Sequence, residues 1–426
     1  MAQFTSAMLE AQVGVDAGVD SDFRIGGDRA IAESASVVRT DIRLSVHEDL
    51  AAIEQEWRAF ERRADGTVFQ TYEWLATWQR HIGSRRGVRP AVVIGRDAGG
   101  KIVLLLPLAV ERTFLSSRLT WLGNELCDYN APLLAPDFSL HVSLARFQQL
   151  WHDVWARLRS HPRLAFDVVN LERMPEMLGA QRNPMLHLGA TPHRDGAFLV
   201  SLADSWENLY AKRSSATRRH DRSKRQKLSE YGAVHFVNAA EPAEIARTLE
   251  TLMAQKARWF ADMGVDDMFV KPGVREFFFD IATNSKTRCI THVSRLDVGQ
   301  STVATNFGLM RGDCYYHVLS SYDRGSELAR FGPGAAHLHD LLRFSIGVGF
   351  RKFDFSVGNE RFKYEWCDSE MKLYDHVAAA TLRGACSALP IVLTRELKRV
   401  IKQTPVLWNA FRKARALAGP LKAIVR

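Results

Sequence analysis

The chain has 426 residues, 46% of them hydrophobic and 25% charged, which supplies a sizeable core for two domains or one large composite one. No run of about 18 apolar residues occurs, and no basic segment followed by an apolar one opens the chain, so neither a transmembrane helix nor a secretory signal is expected and the compartment expected is the cytoplasm. The net charge of +9 sits in one place: from Leu382 to Arg426 there are ten Lys or Arg and one acid, Glu396, and the remaining 47 bases and 47 acids balance, which argues against a general nucleic-acid binder.

Residues 1–40 are small, polar and aperiodic and read as a disordered segment. From Asp41 the strand "IRLSVH" leads into a helix, "DLAAIEQEWRAFERRA", in which Ala52, Ile53, Trp57 and Phe60 recur at helical spacing. "VFQTYEWLATWQRHIG" predicts a second helix with Trp74 and Trp78 on one face. "RPAVVIGRDAGGKIVLLLPLAVE" predicts a hairpin, two apolar runs about "DAGG". A helix, "SLARFQQLWHDVWARLRSH", and a strand in "AFDVVNLERM" close this half.

The order then returns. "AFLVSL" predicts a strand, and "SWENLYAKRSSATRRHDRSKRQKLSEYG" a basic helical region broken near Ser214–Ser215. "AVHFVN" predicts a strand, and "EPAEIARTLETLMAQKARWFADMG" a helix with an early proline and a terminal glycine. "CITHVSRLDVGQSTVATNFGLMRGDCYYHVLSSYD" predicts strands joined by tight turns. A helix, "HLHDLLRFSIGVGF", and a strand, "KFDFSV", finish the unit. The repeated order predicts an internal duplication of two α/β halves with mixed, mostly antiparallel sheets. The boundaries expected are 41–195 and 196–381, followed by a basic helical tail at 382–426.

Several stretches carry candidate chemistry. In "ARFGPGAA" a glycine turn opens a helix, where unpaired N–H groups and the helix dipole form an anion site. Gly332 and Gly334 let a phosphate group approach the backbone, and the bland alternative is a turn that only caps the helix. Alternation in "CYYHVLSSYD" puts Tyr315, His317, Leu319 and Ser321 on one face and Tyr316, Val318, Ser320 and Tyr322 on the other. His317 is either a general base or a satisfied structural histidine. Asp354 is placed near a polar surface at the end of its strand, as a site residue or as the cap of the next turn. In "GNERFKYEW", Glu360 and Lys363 are i,i+3 neighbours: either an exposed ion pair or a lysine that binds an anionic group, oriented by the glutamate. Residues 212–227 hold eight Lys or Arg and one Asp, and are either a solvated helix face or a phosphate- or tRNA-contacting helix. Five scattered cysteines without CxxC spacing predict reduced thiols, and no metal site is expected.

This arrangement resembles the Gcn5-related N-acetyltransferase (GNAT) superfamily. More narrowly it resembles the cellulose-biosynthesis acetyltransferase (CelD/BcsL-like) family, relatives of the FemX-type peptidyltransferases. The resemblance spans roughly residues 42–380. It rests on "LGNELCDYNAPLL" and "LLLPLAVE" in the first half, and on "RWFADMG", "YYHVLSSYD…ARFGPG" and "FDFSVGNERFKYEW" in the second. The superfamily's usual turn is Q/R-x-x-G-x-G/A; this chain keeps Arg330, Gly332 and Gly334 at altered spacing. The resemblance implies tandem GNAT-like acyltransferase modules, with an acyl-CoA, acetyl-CoA above all, as co-substrate. Its donor site would be formed by Arg330, Phe331, Gly332, Gly334 and Ala335, and its chemistry would involve His317, Asp354, Glu360 and Lys363. It implies an amine or hydroxyl acceptor on a sugar, polysaccharide or cell-envelope precursor. The alternatives are a degenerate, non-catalytic component of polysaccharide export and an aminoacyl-tRNA-dependent enzyme; nucleic acid otherwise is not an expected partner. The tail, with Leu393, Leu397, Val400 and Ile401 on one helical face and Pro405 as a break, reads either as a peripheral membrane segment or as a lid packed on the domain.

Overall fold

Proline lacks the N–H that a strand interior needs, and Pro107 divides one apolar run between two sheets. Ile102–Leu106 pairs with Val92–Arg96 as the expected hairpin, while Leu108–Arg112 turns away to pair with Ser117–Trp121. The computed structural model describes residues 41–358 and 360–403, so the disorder expected for 1–40 and the break at Pro405 lie outside the described residues.

The first half holds a four-stranded antiparallel sheet, in the order Arg43–His47, Val92–Arg96, Ile102–Leu106, Leu133–Leu134. Beside it a six-stranded sheet includes Leu108–Arg112, Ser117–Trp121 and Val168–Pro175. The second half is built on seven strands, ordered Val234–Asn238, Thr291–Val298, Ser301–Arg311, Cys314–Tyr322, Lys352–Val357, Ala197–Ser201, Ser369–Met371.

Each half contains one parallel pair joined by a helix. Ser117–Trp121 reaches Val168–Pro175 through Leu144–Ser160, and Cys314–Tyr322 reaches Lys352–Val357 through Pro333–Val348. Both pairs are short. The first is bonded only at Arg118↔Val168 and Leu119↔Val169, the second only from Cys314↔Lys352 to Tyr316↔Asp354. In each returning strand one non-glycine residue stands at positive φ, Arg173 at 56° and Ser356 at 61°. Such a backbone is disfavoured for an L-residue. The shared irregularity supports the duplication more directly than sequence pattern does.

The helices begin and end where local chemistry directs. Ser143, Ser205 and Ser214 cap their helices through side-chain oxygens, and Ser214 sits at the expected break between Trp206–Ala211 and Ser215–Ser229. Pro242 opens Pro242–Asp262 at its first turn. Pro333–Val348 runs past Gly347 and ends at Gly349, whose φ is 96°.

The halves are interlocked. Leu373–Ala379, within the range expected for the second half, pairs instead with Val168–Pro175 and completes the first half's six-stranded sheet. One core cluster runs from Ile42 to Leu373 and draws on both halves. Trp74 meets Phe277 edge-on at 4.8 Å, and Arg311 donates to the backbone oxygens of Glu61, Ala64 and Thr67. Among the described residues no helix is long and apolar enough to cross a membrane.

Candidate active site

A cavity of about 980 Å³ lies along the far end of the Cys314–Tyr322 strand, past the point where its parallel pairing stops. The helix Pro333–Val348 presents its first turn to this space, the helix Ser215–Ser229 flanks it, and Trp259, Phe362 and Trp366 add aromatic walls. The strand does not alternate through this region. Phe307 pairs with Leu319 and Gly308 with His317, so Val318 is an extra, bulged residue. The bulge corrects the expected faces. Leu319 joins Tyr316 in the core, while His317, Ser320 and Tyr322 all line the cavity.

The sequence-predicted site residues separate into those at the cavity and those behind it. His317 lines it, 8% exposed, its ring 5.8 Å from Phe353 and 6.0 Å from Phe355. Burial, with the nearby Lys363, His337 and Lys256, pushes its pKa down to about 3, so the imidazole is neutral and a weak base near neutral pH. Gly334 and Ala335 line the cavity as well. A side chain at Gly334 would sit 3.3 Å from the Tyr322 ring, and one at Gly332 would sit 3.6 Å from Lys224 Nζ. Gly332 itself has a φ of 65° and caps the helix. The amides of Ala335 and Ala336 both donate to Gly332 O, so they are already engaged within the turn.

The other predicted residues lie elsewhere. Arg330 is exposed and donates to Tyr231 Oη at 3.1 Å, and Phe331 packs against Tyr231; neither lines the cavity. Asp354 is not at a polar surface: it is 2% exposed on the side facing the first half, where Tyr129 Oη and Ser356 N donate to its carboxylate. Burial raises it to about 7 against those two hydrogen bonds. Lys363 is not an exposed ion-pair member but is 3% exposed. Its Nζ donates to Ser356 O at 3.1 Å and Val357 O at 3.2 Å, and pairs with Glu360 at 2.9 Å. Of the three donors of an ammonium, two are spent on these backbone carbonyls. Lys363 therefore ties down the end of the Lys352–Val357 strand, with Glu360 paired to it.

Lys256 went unpredicted and stands at the cavity, 5.2 Å from the centre of the Trp259 ring. Removal from water lowers it to about 8 despite the pull of Glu360. The signal available was positional: Ile245, Leu249, Leu252, Met253 and Phe260 are buried along its helix, and Lys256 falls on that apolar stripe. Lys212, Arg213, Lys224 and Arg324 also line the cavity, and Arg213 lies 4.3 Å over the Trp366 ring. These bases suit a phosphate-bearing ligand. Among the described residues, no group of three or more His, Cys, Asp or Glu is arranged to hold a metal ion.

Residues 215–364 match the family described as Acetyltransferase (GNAT) domain, a segment that contains the cavity's flanking helix, Lys256, the bulged strand and the glycine turn. No curated protein matches the sequence. Among solved structures, FemX superposes with a TM-score of 0.52 at 9% identity, covering 75% of this chain and 95% of its own. A conserved protein of unknown function from Bacteroides thetaiotaomicron gives 0.49 at 13% identity, covering 78% and 99%. A tandem GNAT protein from the clavulanic acid biosynthesis pathway gives 0.44 at 12%, covering 80% and 99%. The fold is thus α/β with mixed sheets, similar to that of FemX, and residues 215–364 are similar to a GNAT acetyltransferase domain.

Proposed function

We propose that the protein transfers an acyl group, acetyl above all, from acyl-CoA to an amine or hydroxyl of a sugar, polysaccharide or cell-envelope precursor, on the cytoplasmic side of the membrane. The observation that carries this reading is the cavity at the parting of Cys314–Tyr322 and Lys352–Val357, with a GNAT match across the elements that build it. Lys212, Arg213 and Lys224 suit the phosphates of the donor, and the Gly334 turn leaves room beside Tyr322. Trp259, Tyr322 and Trp366 with Ser320 and Ser321 form the mixed aromatic and polar lining that suits a saccharide acceptor.

In the reaction the acceptor nitrogen or oxygen forms a bond to the acyl carbon, the carbon–sulfur bond breaks, and the acceptor loses one proton. Lys256, lowered to about 8, is deprotonated in part near neutral pH and takes that proton. Alignment within the cavity supplies much of the rest. His317, neutral and wedged between phenylalanine rings, shapes the wall.

A second donor is favoured by one observation. Arg219, Arg222 and Lys227 are exposed on the helix flanking the cavity, a basic surface that suits the longer polyanion of an aminoacyl-tRNA. Thermal-shift and mass-spectrometric screening against acetyl-CoA, longer acyl-CoAs and aminoacyl-tRNA separates the two. Stabilisation by an acyl-CoA with product formed on an amino sugar is the expected result. Stabilisation by aminoacyl-tRNA alone selects the second donor, and binding without turnover on any acceptor points to a non-catalytic component.

A further inference from the structure

A surface helix ordinarily buries its apolar stripe and turns its charge to water. The helix Leu382–Gln403 does the reverse. At its start Thr381 Oγ1 donates to Asp167 at 2.9 Å, and Gly384 is so close that a side chain there would collide with the Asp167 carbonyl oxygen. Further along, Arg395 points inward and donates to Asn170 Oδ1 at 2.7 Å and Glu172 at 2.6 Å, with Asp375 at 3.5 Å. Burial works to raise Glu172, yet the Arg395 charge and hydrogen bond bring it down to about 2. The polar side of this helix is therefore its docked side.

The opposite side carries Leu382, Leu389, Leu393 and Leu397, which are 89%, 60%, 58% and 60% exposed. Their spacing keeps them on one stripe. A second apolar element stands beside it. The hairpin tip between Leu108–Arg112 and Ser117–Trp121 presents Phe114, fully exposed, and Leu115, 69% exposed. Leu115 shares the rim of one cavity, about 1090 Å³, with Cys386 and Pro390 of the helix, so tip and stripe lie on one side of the molecule.

The charge of this stretch of sequence identifies its occupant. Arg383 is exposed at the helix start. The sequence then supplies Lys398, Arg399 and Lys402, and five more bases with no acid over residues 404–426. An exposed apolar stripe in a strongly basic stretch of sequence, with an exposed aromatic tip beside it, is the chemistry of an anionic bilayer surface.

We propose that the leucine stripe of this helix and the Phe114 tip form a docking surface for anionic lipid, held in orientation by Arg395. The proposal is independent of which acyl donor or acceptor the protein uses. Sedimentation of the full chain with phosphatidylcholine vesicles, alone or mixed with phosphatidylglycerol, tests it. The wild type is expected to pellet with the anionic vesicles, not with the zwitterionic ones, and less as salt rises. The double variant Leu389→Glu/Leu393→Glu and the single variant Phe114→Ser alter exposed side chains, and circular dichroism checks their folding. The double variant should bind at least about tenfold more weakly. A wild type that stays in the supernatant at low salt, or a double variant that pellets equally, overturns the proposal. So does a dimer in sedimentation velocity that the same double variant dissolves while vesicle binding is absent, which gives the stripe to a second copy of the chain.

Discussion

Lys363 and Lys256 show how burial separates a structural lysine from a chemical one. Lys363 donates to Ser356 O and Val357 O and forms an ion pair with Glu360. Lys363→Met should leave those buried carbonyls unpaired at a cost of about 1–3 kcal/mol, seen as a lower urea midpoint with turnover per folded molecule little changed. Lys256→Met should act the other way, preserving stability and lowering kcat by about two orders of magnitude. The wild-type rate should rise with pH through about 8, because only the deprotonated amine accepts a proton, and the variant's profile should lose that limb. Gly334→Leu should weaken acetyl-CoA binding about tenfold by calorimetry, since its Cβ already approaches the Tyr322 ring at 3.3 Å. Gly334, Ala335 and His317, singled out from a glycine turn and the strand just before it, line the cavity, because such a turn and strand are local patterns. Sequence reading misplaced Asp354 and Lys363 because their partners, Tyr129 and the Ser356 carbonyl, are fixed by tertiary contact and by a positive φ that no local pattern announces.

The strand Cys314–Tyr322 and the helix Pro333–Val348 enclose a group of histidines that do not charge in the fold. Burial pushes His317 and His337 down to about 3 and His292 to about 4. His292 bridges Tyr315 Oη and Asn238 Oδ1, and His337 meets Ser294 Oγ at 3.1 Å. Unfolded, each takes a proton below about 6.5. Their contribution to stability is thus intact above that pH and is lost as pH falls towards 4. Asp354, raised to about 7, opposes this, because the folded chain keeps a proton that the unfolded chain releases above about 4. Burial also lowers His339 to about 4 and raises Glu61 to about 7, so four histidines stand against two carboxyls; urea midpoints should fall between pH 7 and pH 4.5, and His337→Gln should flatten the fall. Element types along this unit were readable from periodicity, and the bulge at Val318 was not. It depends on the register with Phe307 and Gly308, which the strand's own residues do not encode.

At the scale of the whole molecule, the exchange of Leu373–Ala379 into the first half's sheet makes the halves one cooperative unit. A fragment of residues 41–195 should therefore lack a cooperative unfolding transition by circular dichroism, whereas the whole chain should unfold in one step. The duplication was legible in the order of elements, because each half repeats its own local patterns. The exchange was not legible, since an apolar strand carries no mark of the sheet that will accept it. It also imposes a timetable on synthesis. Once Pro175 has been made, Val168–Pro175 must wait for Leu373–Ala379, some 200 residues downstream, before its second edge is paired. At about 5–20 residues per second, that wait is roughly 10–40 s. Throughout it the nascent chain presents an open edge lined with Val168, Val169 and Leu171, a template for pairing with a neighbouring nascent chain on the same messenger.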